Sequence, residues 1–245
     1  MKKLLTIMLF SYLILACNNN SKKEEDKSKT STENSTATEG NDNIITSDEN
    51  TVNAQLSEGR FGIKSAKVVT RTTLPNNMGY TVSTMYFVDH GKTSLTEVVT
   101  NLKMQGAKST PKKYTLHKDF DMYSWEEGEK SGKKVNFSHA KDLSNMDFEK
   151  MPVDVLEEMK VKKGGTETFL GRTCDVLEMN SEVTGKGKLL TWKNIPMFSD
   201  MLTMGMKVVA EVTELIENPE LEPAIFQLPE GVEFKEITMP KNLKE

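Results

Sequence analysis

Apolar and polar residues alternate along much of the chain after residue 60, most clearly between residues 114 and 122. Side chains at every second position share one face of a strand, so alternation predicts strands with one buried face. The predicted strands lie near residues 61–73, 79–89, 94–103, 114–122, 134–138, 171–180, 186–193 and 207–213. Short turns such as Asp89-His90-Gly91 separate them, which favours an antiparallel sheet that curls or closes.

One stretch has a helical period instead. Met151, Val155 and Met159 recur every four residues, Pro152 suits a first helical turn, and Gly164-Gly165 would end the segment. A second short helix or turn is predicted over residues 197–204. The predicted fold class is therefore mainly β with minor α: a curved antiparallel sheet or unclosed β-barrel with a few short helices on the concave face.

The N-terminus has the pattern of an export signal. Two lysines, Lys2 and Lys3, precede an apolar run that is too short to span a bilayer, which needs about 20 apolar residues. The run ends in Ile14, Leu15, Ala16 and Cys17, which resembles the lipobox of bacterial lipoproteins. That resemblance implies cleavage before Cys17 and lipidation of its thiol, with palmitate among the attached chains. An ordinary cleaved signal with an incidental cysteine is the alternative.

Residues 18–57 contain no aromatic side chain and are rich in Asn, Ser, Thr and charged residues. Such a segment buries too little apolar surface to offset its chain entropy, so it is predicted to be a disordered tether. The charged cluster at residues 21–26 resembles the surface-export signal of Bacteroidota lipoproteins, and a solvated linker is the alternative. The predicted organisation is a signal peptide at 1–16, a lipidated tether at 17–57 and one β-rich domain at 58–245. The predicted location is the cell envelope, anchored to the outer membrane, with surface exposure left open.

The composition of the chain limits the classes of partner and the chemistry that we expect. The chain has a formal charge of −4 and no long basic run, which argues against nucleic acid as a partner. Once Cys17 carries lipid, Cys174 has no partner for an intramolecular disulfide and is predicted to be a small buried residue. No catalytic constellation, metal site or cofactor motif is apparent. His90, His117 and His139 lie in separate elements without metal-ligand spacing.

Three segments of the second half resemble the lipoprotein-carrier superfamily (LolA/LolB-like). They are residues 166–176 (TETFLGRTCDV), 187–196 (GKLLTWKNIP) and 226–231 (FQLPEG). The resemblance covers about 160–235 and includes related Bacteroidota domains of unknown function. It implies an unclosed β-barrel, covered by helices, that encloses an apolar cavity for acyl chains. No cargo-handling residue of the carriers can be matched in this chain.

Methionines cluster where that cavity would lie, and methionine suits surfaces that accept varied apolar ligands. Core packing is the alternative for them, and soft-metal binding by thioethers is a third interpretation. The predicted ligand-cavity residues are Met151, Val155, Met159, Trp192, Phe198, Met201 and Met204. The predicted function is non-catalytic binding of a lipid or other hydrophobic ligand by a membrane-anchored lipoprotein. The alternative is a structural or protein-interaction lipoprotein with a solid core.

Overall fold

The computed structural model describes residues 59–103, 110–136, 156–157, 160–181, 185–203 and 205–237. These residues form one sheet of twelve strands. The strands are β1 Ala66–Thr73, β2 Gly79–Val88, β3 Thr93–Leu102, β4 Lys113–Lys118, β5 Asp121–Glu126, β6 Ser131–Asn136, β7 Val161–Phe169, β8 Arg172–Ser181, β9 Gly185–Trp192, β10 Ile195–Thr203, β11 Met206–Glu217 and β12 Glu233–Ile237.

The strand order across the sheet is β12-β6-β5-β4-β3-β2-β1-β11-β10-β9-β8-β7. Most neighbours are antiparallel hairpin partners, as the short turns predict. Two pairings join strands that are distant in sequence: β1 lies antiparallel to β11, and β12 lies parallel to β6. The sheet is curved and does not close on itself, so the predicted mainly β class with an unclosed sheet is confirmed.

Helical structure in the described residues is limited. Three 3₁₀ turns occur at Pro75–Asn77, Asp89–Gly91 and Pro223–Phe226, and residues 156–157 are helical. Leu156 is 3% exposed and packs with Val161 and Met201 of the sheet. The rest of the helix predicted to begin near Met151 lies outside the described residues.

Two predictions of helical structure made from the sequence are wrong. The helix or turn predicted over 197–204 is not formed at 197–203, because these residues belong to strand β10, where Met197, Ser199 and Met201 are buried at alternate positions. Methionines spaced by four residues fit a strand as well as a helix, since both place them on one face. Gly164 and Gly165 do not end a helix either. They lie within β7, where its pairing with β8 shifts register at a bulge.

The core changes face partway along β8. Cys174 and Val176 are buried in the first half of the strand, while Leu177 and Met179 are buried in the second half. The first pair joins a cluster with Phe61, and the second pair joins a separate cluster with Leu156. Because successive side chains point to opposite faces, the sheet buries one face at one end of β8 and the other face at the other end.

A strap of residues 59–65 precedes β1 and ties two distant turns together. The amides of Arg60 and Phe61 donate to the carbonyl of His90 at 2.7 and 2.9 Å, and the amide of Gly62 donates to the carbonyl of Lys193 at 3.0 Å. Phe61 is 4% exposed, and its ring lies 4.4 Å from that of Phe87. The strap therefore fastens the β2–β3 turn to the β9–β10 turn and closes the largest apolar cluster.

A second covering segment, residues 218–232, leads from β11 to β12. Its 3₁₀ turn at Pro223–Phe226 places Phe226 against Leu95 and Leu116, where Phe226 is 8% exposed. The segment thus crosses β3 and β4 before β12 pairs with β6. Burial of this aromatic side chain holds the segment above the sheet and leaves a groove beside it.

Candidate functional site

An open groove of about 630 Å³ lies between the covering segment and the β5–β6 turn. Its floor is formed by Leu95 of β3, Tyr114 of β4 and Trp125 of β5. Tyr114 lies directly opposite Trp125 in the β4–β5 register. Cross-strand aromatic pairs of this kind stabilise antiparallel sheets and prefer stacked or edge-on geometry.

The aromatic rings of the floor pack against one another and against β12. The rings of Tyr114 and Trp125 are stacked, with centroids 5.1 Å apart and planes 10° from parallel. Phe234 of β12 meets Trp125 edge-on at 5.9 Å and Tyr123 edge-on at 5.4 Å. Gly132 lies under this phenyl ring, where a Cβ atom would come within 2.5 Å of Phe234. The parallel strand β12 therefore buttresses the indole from the side away from Tyr114.

Two chain segments form the walls. One is the β5–β6 turn at residues 126–130, and the other is residues 225–232, which include Ile225 and Pro229. The amide of Glu127 donates to the carbonyl of Lys112 at 2.8 Å, and the amide of Glu233 donates to the carbonyl of Lys130 at 2.9 Å. These bonds join the turn to β4 and to the start of β12, so both walls are tied to the sheet.

The rim of the groove is acidic. Five carboxylates line it against one ammonium group, that of Lys130: they belong to Glu97, Glu126, Glu127, Glu129 and Glu230. Lys112 pairs with Glu97 at 3.4 Å. The carboxylate of Glu97, with a further contribution from Glu127, raises the pKa of Lys112. Within the described residues, no ion pair joins Glu126, Glu129 or Glu230 to a cation.

This environment changes the pKa of Tyr114. Burial of its phenol raises the pKa of Tyr114; the charge of Lys112 opposes this shift, and the carboxylates of Glu127 and Glu97 add to it. The phenol therefore stays neutral under ordinary conditions and offers one hydroxyl that can donate or accept a hydrogen bond. The groove combines an apolar aromatic floor, one neutral hydroxyl and a ring of carboxylates.

The structure places the predicted cavity residues in two separate clusters. Trp192 and Phe198 pack beside the cluster of Phe61, whereas Met201, 3% exposed, packs with Leu156. The registers of β9 and β10 put Trp192 and Phe198 on one face of the sheet and Met201 on the other. Met151, Val155, Met159 and Met204 lie outside the described residues, so a cavity lined by all seven remains a prediction.

Other candidate chemistry is dispersed. His90 lies in the β2–β3 turn with its Nδ1 3.0 Å from the carbonyl oxygen of Phe61, and His139 lies outside the described residues. Burial, with a smaller contribution from the charge of Arg60, lowers the pKa of His117 to about 4. Cys174 is free and buried, and burial raises the pKa of its thiol. Among the described residues, no three His, Cys, Asp or Glu side chains are grouped as metal ligands.

The sequence does not predict the groove, although it draws attention to two segments that form it. Residues 226–231 carry part of the resemblance to the lipoprotein carriers, and Gln227, Pro229 and Gly231 of that segment line one wall. The alternation near residue 114 placed Tyr114 on a strand. Nothing local in the sequence shows that residues about 100 positions apart flank the same floor. In the part of the chain that the structure describes, no helix has the length and apolar character to span a bilayer.

No protein-family model matches this chain, and no curated protein matches it significantly. Among solved structures, an uncharacterized conserved protein from Thermus thermophilus has a TM-score of 0.44 and 11% identity, over 77% of this chain and 96% of that one. MucB, in its complex with MucA from Pseudomonas aeruginosa, has a TM-score of 0.43 and 12% identity, over 75% of this chain and 62% of that one. This chain thus spans less than two thirds of that MucB chain.

A LolA superfamily protein from Nitrosomonas europaea has a TM-score of 0.31 and 13% identity, over 73% of this chain and 97% of that one. The structural neighbours therefore include the superfamily that the sequence segments resemble. Similarity at these values carries no inference about ligand or activity.

Proposed function

We propose that this protein is a membrane-anchored lipoprotein that binds a hydrophobic ligand without catalysing a reaction. The observation that carries the proposal is the stacked Tyr114–Trp125 pair on the floor of a groove of about 630 Å³. Ligand sites of small molecules are concave, have volumes of roughly 300–1,000 Å³, and combine apolar lining with a few placed polar groups. The groove falls in this volume range and has an aromatic floor, while its rim is open and acidic.

The anchor and the domain organisation are part of the same proposal. Cleavage before Cys17 and lipidation of its thiol would hold the protein in the outer membrane, and each buried lipid CH₂ contributes about 0.8 kcal/mol. The tether at 17–57 would let the domain at 58–245 reach roughly 30–40 Å from the membrane as a flexible coil. The basic and apolar start of the chain and the residues 14–17 support this part.

A structural or protein-interaction role is the second candidate, and one observation favours it. Met201, predicted to line a ligand cavity, is instead packed against Leu156, Leu177 and Met179, and only 3% of its surface is exposed. Nearby on the β10–β11 hairpin, Leu202 and Met206 are 49% and 44% exposed. A filled interior with apolar side chains on the outside is the pattern expected of a protein that meets partners at its surface.

The two tryptophans of the chain make a direct test possible, because Trp125 lies in the groove, whereas Trp192 is a predicted cavity residue and packs, like Phe198, beside the cluster of Phe61. In the mature chain from residue 18, made without lipid, Trp192→Phe leaves only the groove reporter and Trp125→Phe leaves only the other. A neutral alkyl ester carrying bromine quenches an indole that it touches. We expect saturable quenching of Trp125 and none of Trp192, with the unbrominated ester as control.

Quenching of Trp192 alone would move the ligand to the cavity predicted from the sequence. Absence of quenching in both variants would refute ligand binding and leave the interaction role. The anchor has its own test: Cys17→Ala should abolish metabolic labelling by a fatty acid in the native organism. Labelling that persists in this variant would refute lipidation at Cys17.

A further inference from the structure

We infer that the groove selects an organic cation with an apolar body, such as an alkyl ammonium. This inference rests on the proposed function, because it names the ligand class of the same groove. The apolar body would lie on Leu95, Tyr114 and Trp125, and the cationic group would lie at the carboxylate rim. The charge of the rim is complementary to that of such a ligand.

Among the described residues, the carboxylates of the rim outnumber the cations beside them. Lys112 pairs with Glu97, and its other carboxylate neighbour is Glu127. Glu126 lies directly opposite Lys113 in the β4–β5 register, whereas Glu129 and Glu230 have no ion-pair partner among the described residues, and Lys130 is the single cation in the lining. The potential above the floor is therefore negative, and it is focused by the two walls that enclose it.

This charge has a local origin in the fold. The β5–β6 turn carries Glu126, Glu127 and Glu129 in one tight connection, in which the amide of Glu129 donates to the carbonyl of Glu126 at 3.1 Å. Glu230 faces this turn from the opposite wall. Placing like charges on both sides of one groove is unfavourable in the empty protein, and a bound cation relieves that repulsion.

An anionic or neutral amphiphile fits the same groove less well. A fatty-acid carboxylate would meet the like charges of the rim, and a neutral head group would leave them without a counter-charge. The apolar floor alone does not distinguish these ligands, since burial of an alkyl chain is non-directional. The selection among head groups therefore depends on the rim, and the affinity for the chain depends on the floor.

The test uses three probes with the same alkyl chain: decyltrimethylammonium, decanol and decanoate. Binding is measured by the fluorescence of Trp125 in the mature chain carrying Trp192→Phe, below the concentrations at which the probes form micelles. An exposed ion pair contributes about 0.2–1 kcal/mol, which is about 1.5- to 5-fold in affinity. We expect decyltrimethylammonium to bind most tightly and decanoate most weakly, with the difference shrinking as salt is raised.

The decisive variant is Glu129→Gln with Glu230→Gln, which removes one charge from each wall and keeps the side-chain shape. It should weaken decyltrimethylammonium binding by about 2- to 25-fold and leave decanol binding unchanged. The matched control is Glu178→Gln, an exposed carboxylate on β8 in the other half of the sheet, which should change neither. Circular dichroism verifies that the variants remain folded.

The outcomes separate the two proposals. If decanol binds as tightly as the cation, or if the double variant leaves cation binding unchanged, the selection for cations is refuted while the hydrophobic groove stands. If none of the three probes changes the fluorescence of Trp125, the proposed function of the groove fails as well. Tighter binding of decanoate than of decyltrimethylammonium would also contradict the selection.

Discussion

His117 should make the stability of this protein depend on pH in a calculable way. The residue lies on β4, directly opposite Ser94 of β3 and Met122 of β5, and burial lowers its pKa from 6.5 to about 4. The folded protein thus holds this imidazole neutral. Between pH 6.5 and pH 4, the unfolded chain binds a proton at His117 that the folded chain does not bind. The free energy of unfolding must therefore fall as the pH is lowered through this window.

The magnitude follows from the shift. One proton per pH unit corresponds to about 1.4 kcal/mol, so a shift from 6.5 to about 4 gives a loss of about 3 kcal/mol across the window. For urea unfolding with a slope of about 2 kcal/mol per molar, the midpoint should fall by about 1–2 M. Below pH 4 the contribution levels off, because both states are then protonated.

The assay is a series of urea titrations between pH 4 and pH 7.5 on the native chain and on His117→Gln, which cannot titrate. The lowered pKa of Asp121 also affects stability, but its contribution is lost mainly below about pH 4 and is shared by both chains. The free energy of unfolding of the native chain should fall relative to that of His117→Gln as the pH is lowered from 6.5 to 4. Parallel pH profiles for the two chains would refute the burial of a neutral His117.

Three further predictions concern the strap, the buttress of the groove and the buried thiol. Phe61→Ala should lower the free energy of unfolding by about 3–5 kcal/mol, because it removes a ring that is 4% exposed. The control Leu170→Ala, at a side chain that is 45% exposed, should change this free energy by less than about 0.5 kcal/mol. Equal urea midpoints for the two variants would contradict the role of the strap. Gly132→Ala should displace Phe234 and red-shift the emission of Trp125, measured in Trp192→Phe; an unchanged spectrum would show that the ring does not rest there. Cys174 should react with a disulfide reagent far more slowly in the folded chain than in urea, because burial raises its thiol pKa, and fast labelling without denaturant would contradict this.

Alternation identified several strands because apolar side chains recur there at every second position. The segment 114–122, predicted as one strand, is two, since β4 ends at Lys118 and β5 begins at Asp121. Leu116 of β4 and Val68 of β1 are examples of buried positions within an alternating pattern. Strand β7 was missed because seven of its nine residues are exposed, so it has no apolar period, and because Gly164 and Gly165 resemble a helix end. The sequence does not predict strand β10, because its two methionines, Met197 and Met201, are four residues apart and this spacing also fits a helix.

The candidate site was beyond sequence reasoning for a different reason. Its floor comes from β3, β4 and β5, whereas one wall comes from residues 225–232. Only the pairing of β1 with β11 and of β12 with β6 brings these parts together, and neither pairing has a local signal. The carboxylates near Glu126 have the composition of an ordinary solvated turn. Only their position beside the aromatic floor indicates that they could form the rim of a binding groove.

The most direct test of the account is to locate a bound ligand on the chain. A decyltrimethylammonium analogue with a photoreactive diazirine on its alkyl chain can be crosslinked to the mature protein, and the labelled peptides can be identified by mass spectrometry. The account predicts labelling of peptides that contain Tyr114, Trp125 and residues 225–232, competed away by unlabelled decyltrimethylammonium. Competable labelling confined to residues 192–203, or no competable labelling, would contradict the assignment of the groove as the binding site.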